Sequence, residues 1–183
     1  LEKTFQVSAG SFFPVNIALA EALVTHLLDT IPQFPNIGQQ TTLLDVYSGV
    51  GLFSAFFADK VGRIIAIESS PSAAEDYVVN LDAYDSIELY EATAEAVLPS
   101  LDVKPDIVLV DPPRSGIDRR ALDALVQLNP PLIVYISCDP ATLARDVKRF
   151  LTAGYQLAQA TPFDMFPQTY HVESVVLMLR VEK

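Results

Sequence analysis

From Thr41 onward the chain alternates two hydrophobic rhythms. Apolar runs at residues 43–47, 64–67, 87–90, 107–110 and 132–136 predict β-strands. Between them, residues 52–59, 72–83, 93–98, 119–128 and 141–153 repeat their apolar positions at helical spacing. Strict β/α alternation implies an α/β fold, a doubly wound and mostly parallel sheet covered on both faces. After Gly154 the rhythm changes: residues 155–161 and 172–181 read as strands with no helix between them, which predicts a C-terminal antiparallel strand pair at one sheet edge. Upstream, residues 16–28 form an amphipathic helix pattern and 31–40 a connector rich in Pro, Gly and Gln. No repeat or low-complexity segment interrupts the chain, so residues 1–40 are expected to belong to the same domain as 41–183.

At 183 residues and 50% hydrophobic composition, the chain can bury one substantial core, and a single domain is the default. Cys138 is the only cysteine, which excludes an internal disulfide and any multi-cysteine zinc or iron–sulfur site built from this chain alone. No metal is expected, and the cysteine usage fits a reducing compartment, with the cytoplasm as the natural location. No apolar run approaches the roughly 18 residues of a membrane span, and the N-terminus lacks an export pattern. Because the first residue is Leu1 rather than Met, the sequence reads as a piece of a longer protein. A net charge of −11 is opposite to that of a protein that must grip a polyanion unaided. A local basic patch, or a basic module outside this chain, would reverse that argument.

The candidate chemistry sits where predicted strands end. Asp45-Val46-Tyr47-Ser48-Gly49-Val50-Gly51 joins the first strand to a helix, and its glycines let the backbone turn sharply against a ligand. A nicotinamide site would want a third small residue, but Ser54 stands there and an acid precedes the glycines, which tilts the reading toward S-adenosylmethionine. Glu68 ends the next strand, where a carboxylate can accept from both ribose hydroxyls, and Asp111 ends the fourth. In an open α/β sheet these three acids converge beyond the carboxyl ends of the strands; the plainer alternative makes them helix caps and solvated loop acids. Cys138 falls where the strand at 132–136 hands over to a helix, and a helix dipole there would favour the thiolate. The plainer alternative for a lone cysteine is a small buried hydrophobe.

Three motifs occur in order: Asp111-Pro112-Pro113-Arg114-Ser115-Gly116, Ser137-Cys138-Asp139-Pro140 continuing through Arg145-Asp146, and Asp164-Met165-Phe166-Pro167-Gln168-Thr169-Tyr170-His171-Val172-Glu173. Together they resemble the RNA uracil-5-methyltransferase family, over most of the chain from Ser11-Phe12-Phe13 to Arg180. The resemblance implies a Rossmann-like class I methyltransferase domain carrying a methyl group from S-adenosylmethionine to C5 of a uridine in tRNA or rRNA. It implies Cys138 as the nucleophile that adds to C6 and Glu173 as the base that removes the C5 proton. Asp45, Tyr47, Gly49, Gly51, Glu68 and Asp111 become the expected cofactor residues, and Arg114 and Phe166 the expected substrate contacts. Arg114 could equally pin its own loop through Asp118 or another acid. It stands where amino-group methyltransferases carry an aromatic, and Cys138 follows Ser137 rather than the proline typical of cytosine-5 enzymes.

Because C5 and C6 of a stacked base are hard to reach, the uridine would have to leave its stack. Phe12, Phe13, Tyr47 and Phe166 are candidate walls for it, although core packing is the simpler expectation for Phe12 and Phe13. His26 reads as structural, and His171 could orient its loop. The chain departs from the family at Pro14, where a cofactor-binding glutamine is usual, at Leu52, often asparagine, and at Ser48, commonly cysteine. Family enzymes carry an N-terminal RNA-binding module, so RNA would be gripped mainly outside this chain. Two other readings fit the composition: a methyltransferase acting on small molecules or protein, and a non-catalytic cofactor-binding scaffold.

Overall fold

The computed structural model describes residues 1–33, 37–164, 168 and 172–181. Seven strands form one sheet: β1 (Thr42–Val46), β2 (Arg63–Glu68), β3 (Ile87–Glu91), β4 (Ile107–Val110), β5 (Leu132–Ser137), β6 (Tyr155–Phe163) and β7 (Glu173–Arg180). Their spatial order is β3-β2-β1-β4-β5-β7-β6. The first five run parallel, and β7 pairs antiparallel with both β5 and β6. The helices are α1 (Ile17–Thr30), α2 (Leu52–Phe57), α3 (Pro71–Asn80), α4 (Ala94–Val97), α5 (Arg119–Leu128) and α6 (Pro140–Thr152).

Burial follows the strand order. Every residue of β4 and β5 is buried, as a strand covered on both faces requires, whereas the edge strand β6 is mostly exposed and broken by a register shift between Leu157 and Gln159. Two apolar layers sandwich the sheet, one holding Val108, Val110, Tyr135 and Phe150, the other Leu27, Phe57, Leu109 and Leu177. Helix starts are set by local chemistry: Ser70 caps α3, Asp118 caps α5 and Asp139 caps α6, with Pro71 and Pro140 in the first turns.

Three predicted helices came out shorter. The pattern over 72–83 stops at Asn80, because Leu81 leaves helical geometry and buries its side chain. Residues 93–98 supply only one α-turn, which tightens into a 3₁₀ turn at Leu98–Ser100, where Pro99 has no N–H for an α-bond. The helix expected to reach residue 59 ends at Phe57. No helix among the described residues is long and apolar enough to cross a membrane.

Candidate active site

The carboxyl ends of β1, β2 and β4 meet on one side of the sheet. After β1 the backbone turns through three left-handed residues, Tyr47 (φ 64°), Gly49 (φ 56°) and Gly51 (φ 88°). A Cβ on Gly51 would lie 2.8 Å from Leu81 Cδ1, so this glycine is fixed by both conformation and space. A Cβ on Gly49 would meet nothing within 4 Å: the turn opens there. The Glu68 carboxylate accepts from the N–H of Gly49 at 2.8 Å and of Ser70 at 2.6 Å, tying the turns after β1 and β2 together.

Asp45 is fully buried, and its Oδ2 accepts from Ser54 Oγ at 2.6 Å. Among the described residues, its Oδ1 and the buried Ser48 Oγ have no hydrogen-bond partner. Desolvation pushes the Asp45 carboxyl up to about 6; the bond from Ser54 opposes that rise and the charge of Glu68 adds to it. A buried carboxylate oxygen with nothing to accept from is costly unless a ligand completes it.

The second half of the site lies at the ends of β4, β5 and β7. Ser137 pairs with Ser174 in the β5–β7 ladder, which puts Cys138 and Glu173 side by side at the sheet's rim. Cys138 is half-exposed, so it is not a packed core thiol. Burial raises its pKa first, then the charges of Glu173 and Asp111; the Arg114 guanidinium, which hydrogen-bonds the thiol, works the other way. The expectation that the helix dipole favours the thiolate is therefore corrected. The Asp139 carboxylate already occupies the start of α6, accepting from the N–H of Ala141 at 3.0 Å and Thr142 at 2.8 Å, and its charge offsets the dipole.

Burial pushes Glu173 up to about 7. Asp111 lies well above the ordinary carboxylate range, first from burial and then from the charges of Glu173 and Asp45. An acidic string thus links Asp45 through Asp111 to Glu173.

Arg114 reaches its position on a loop that other residues anchor. Arg145 Nη2 donates to the Ser115 carbonyl at 2.9 Å, the Ile117 N–H donates to Asp146 Oδ2 at 2.9 Å, and Thr142 Oγ1 donates to the Arg114 carbonyl at 3.2 Å. Asp146 is buried and also accepts from Tyr135 Oη at 2.9 Å and Arg145 Nε at 2.8 Å. Asp118, weighed from sequence as a partner for Arg114, instead caps α5 through the Arg120 N–H at 2.7 Å.

Phe12 is 77% exposed, contrary to the core role expected of it, and Phe13 packs on Phe5 with ring centroids 5.5 Å apart. Tyr47 lines a cleft of about 630 Å³ together with Ser69, Ala92, Thr93, Ser115 and Arg145. That volume suits a nucleoside-bearing ligand. His26 stacks edge-on against Phe163, a structural role. Phe166 and His171 lie outside the described residues. Among the described residues no cluster of His, Cys, Asp and Glu is arranged to hold a metal ion.

The sheet order, the glycine turn after β1 and the acid ending β2 define the fold as that of a Rossmann-like class I methyltransferase. The same fold occurs in the N-methyltransferase NodS of Bradyrhizobium japonicum, with a TM-score of 0.73 at 17% identity, covering 90% of this chain and 98% of that one.

Within that class, the chain belongs to the tRNA (uracil-5-)-methyltransferase family, whose model matches residues 2–181. It is similar to the tRNA (uracil-54, C5)-methyltransferase of Pyrococcus abyssi, solved with S-adenosyl-L-homocysteine: TM-score 0.76, 33% identity, 92% of this chain and 40% of that one. It is 41% identical over 180 residues to an uncharacterized RNA methyltransferase of Lactococcus lactis, covering 96% of this chain and 38% of the relative. A second uncharacterized RNA methyltransferase, from Thermosynechococcus vestitus, is 42% identical over 177 residues, covering 95% of this chain and 38% of the relative. The chain therefore spans about two fifths of the length of these proteins.

Proposed function

We propose that this chain is the catalytic portion of an S-adenosylmethionine-dependent RNA (uracil-5-)-methyltransferase acting on a uridine of tRNA or rRNA. The observation that carries the reading is the apposition of Cys138 and Glu173 across β5 and β7, beside Arg114 and Asp111. N- and O-methylation need no such pair, because their acceptors are already nucleophiles. C5 of uracil is a poor one.

The Cys138 thiolate, favoured by Arg114, adds to C6 and forms a C–S bond, while the C5=C6 electrons move into an enolate. When bound, S-adenosylmethionine supplies the electrophilic methyl group that C5 takes. Glu173 then accepts the C5 proton; the electrons of the C–H bond restore C5=C6 and expel the Cys138 thiolate. With its carboxyl near 7, Glu173 is a stronger base than an ordinary carboxylate and is still half ionised at neutral pH.

The residues at the ends of β1 and β2 fit the cofactor. Its sulfonium and ammonium groups are cations, and Asp45, Glu68 and Asp111 gather three carboxyl groups at one crevice, with one buried oxygen of Asp45 left unsatisfied among the described residues. Tyr47, Gly49 and Gly51 shape the turn that holds it, and the neighbouring cleft takes its nucleoside end. The net charge of −11 opposes an unaided grip on a polyanion, so RNA is held chiefly by a part of the full-length protein outside this chain.

Mass spectrometry of the full-length protein after incubation with 5-fluorouridine RNA and S-adenosylmethionine tests the proposal. The fluorine cannot leave as a cation, so a covalent protein–RNA adduct is expected, and it should vanish in Cys138→Ser. An unchanged protein mass would overturn the reading.

A further inference from the structure

The sequence gives no reason to single out Tyr77, which sits in the middle of α3, a helix between the second and third strands. In the structure it is 1% exposed and its hydroxyl donates to Ser54 Oγ at 2.9 Å. Ser54, itself 0% exposed, donates onward to Asp45 Oδ2 at 2.6 Å. The direction of both bonds is forced. An ionised Asp45 can only accept, so Ser54 must spend its one proton on it, and the free lone pair of Ser54 must then be met by the Tyr77 proton. Such a chain polarises each hydroxyl and strengthens the terminal bond.

We infer that Tyr77 is a positioning residue for the cofactor: through Ser54 it fixes Asp45 Oδ2 inside the fold and keeps the carboxylate ionised, leaving Oδ1 as the oxygen that meets the cofactor's cationic end. The inference rests on the proposed role of Asp45 at the cofactor. Two further observations point the same way. Burial and the charge of Glu68 at the end of β2 both oppose the ionisation of Asp45, while Asp111, which follows β4, is itself raised by Asp45; the hydroxyl chain from α2 and α3 works against burial and Glu68. The Tyr77 ring also lies under the glycine turn, where its Cδ2 would be 3.0 Å from a Cβ on Gly51. One residue thus supports the turn and orients the acid that precedes it.

Tyr77→Phe keeps the ring and removes only the hydroxyl; Ser54→Ala removes the middle of the chain. In the ligand-free protein, ¹³C NMR titration of the Asp45 carboxyl should show its midpoint displaced upward in both variants, with thermal melting close to that of the parent in Tyr77→Phe. Calorimetric titration with S-adenosylmethionine should show binding weakened about two- to tenfold at neutral pH, the worth of one buried hydrogen bond, and largely recovered in mildly alkaline buffer. A purely structural role would weaken binding equally at every pH. An Asp45 midpoint that stays put in Tyr77→Phe and Ser54→Ala would overturn the inference. Displaced midpoints in a protein that binds no S-adenosylmethionine would uphold the hydroxyl chain and sink the cofactor assignment instead.

Discussion

Cys138 and Glu173 are neighbours because β7 returns antiparallel to β5 with Ser174 opposite Ser137, although 35 positions separate them in the chain. The carboxylate's charge lifts the thiol's pKa, and Arg114 lowers it. Removing each charge should therefore move thiol reactivity in opposite directions. Alkylation by iodoacetamide at mildly alkaline pH is expected to run several-fold faster in Glu173→Gln and several-fold slower in Arg114→Met. Equal rates in all three proteins would separate these side chains from Cys138.

Glu173 also sets two pH dependences of opposite benefit. As the proposed base it must be ionised, so methylation should rise with pH through a limb near 7, and Glu173→Gln should lose about 10²–10⁴-fold in rate while accumulating the covalent RNA adduct. For stability the sign reverses. Its folded value lies above the unfolded one of about 4.3, so the fold favours the protonated form and is progressively penalised from there up to about 7. Glu173→Gln should melt higher than the parent in alkaline buffer and match it below about pH 4. Coincident melting curves at every pH would contradict that.

The N-terminal segment is held down by Asp76, which accepts from Ser11 Oγ at 2.6 Å, the Ser8 N–H at 2.7 Å, Ser8 Oγ at 2.8 Å and Gln6 Nε2 at 3.2 Å. These bonds, that from Ser11 first, hold its carboxyl far below the ordinary range. A depressed carboxylate stabilises the fold above its unfolded value of about 3.9, and that contribution is lost as pH falls further. Asp76→Asn should melt lower than the parent at neutral pH, and the gap should narrow in strong acid. Limited proteolysis near residues 6–11 should quicken in the same variant.

Gly51→Ala tests the turn independently of ligand. Its φ of 88° and the 2.8 Å approach to Leu81 Cδ1 leave no room for a methyl group unless the Leu81 and Tyr77 side chains shift. Urea unfolding should show a loss of about 1–3 kcal/mol from backbone strain. Gly49→Ala has the same strained hand but open space, so any extra loss in Gly51→Ala reports the packing.

How much of this was legible in the chain differs from element to element. The helix at Arg119–Leu128 and the strand at Ile107–Val110 have the limits their patterns predict, since Asp118 caps one and the other is a wholly apolar run. Phe12 misled, because an aromatic pair ordinarily signals a core, yet Phe12 is exposed while Phe13 packs on the ring of Phe5. Ser54 and Tyr77 were invisible as functional residues. One broke a glycine pattern and the other looked like an apolar helix position, and no local signal says that their hydroxyls meet.

Sequence by itself determined the strand and helix periodicity, the acids that end the strands and the motif order that places the chain in its family, because these are set by local chemistry and spacing. Only the tertiary structure decided which of those groups feel one another. Cys138 is raised rather than lowered because burial strips water from the thiol and Glu173 and Asp111 arrive from other strands, and Asp45 is joined through Ser54 to a tyrosine 32 positions away. Desolvation and charge act through space, and folding alone sets those separations.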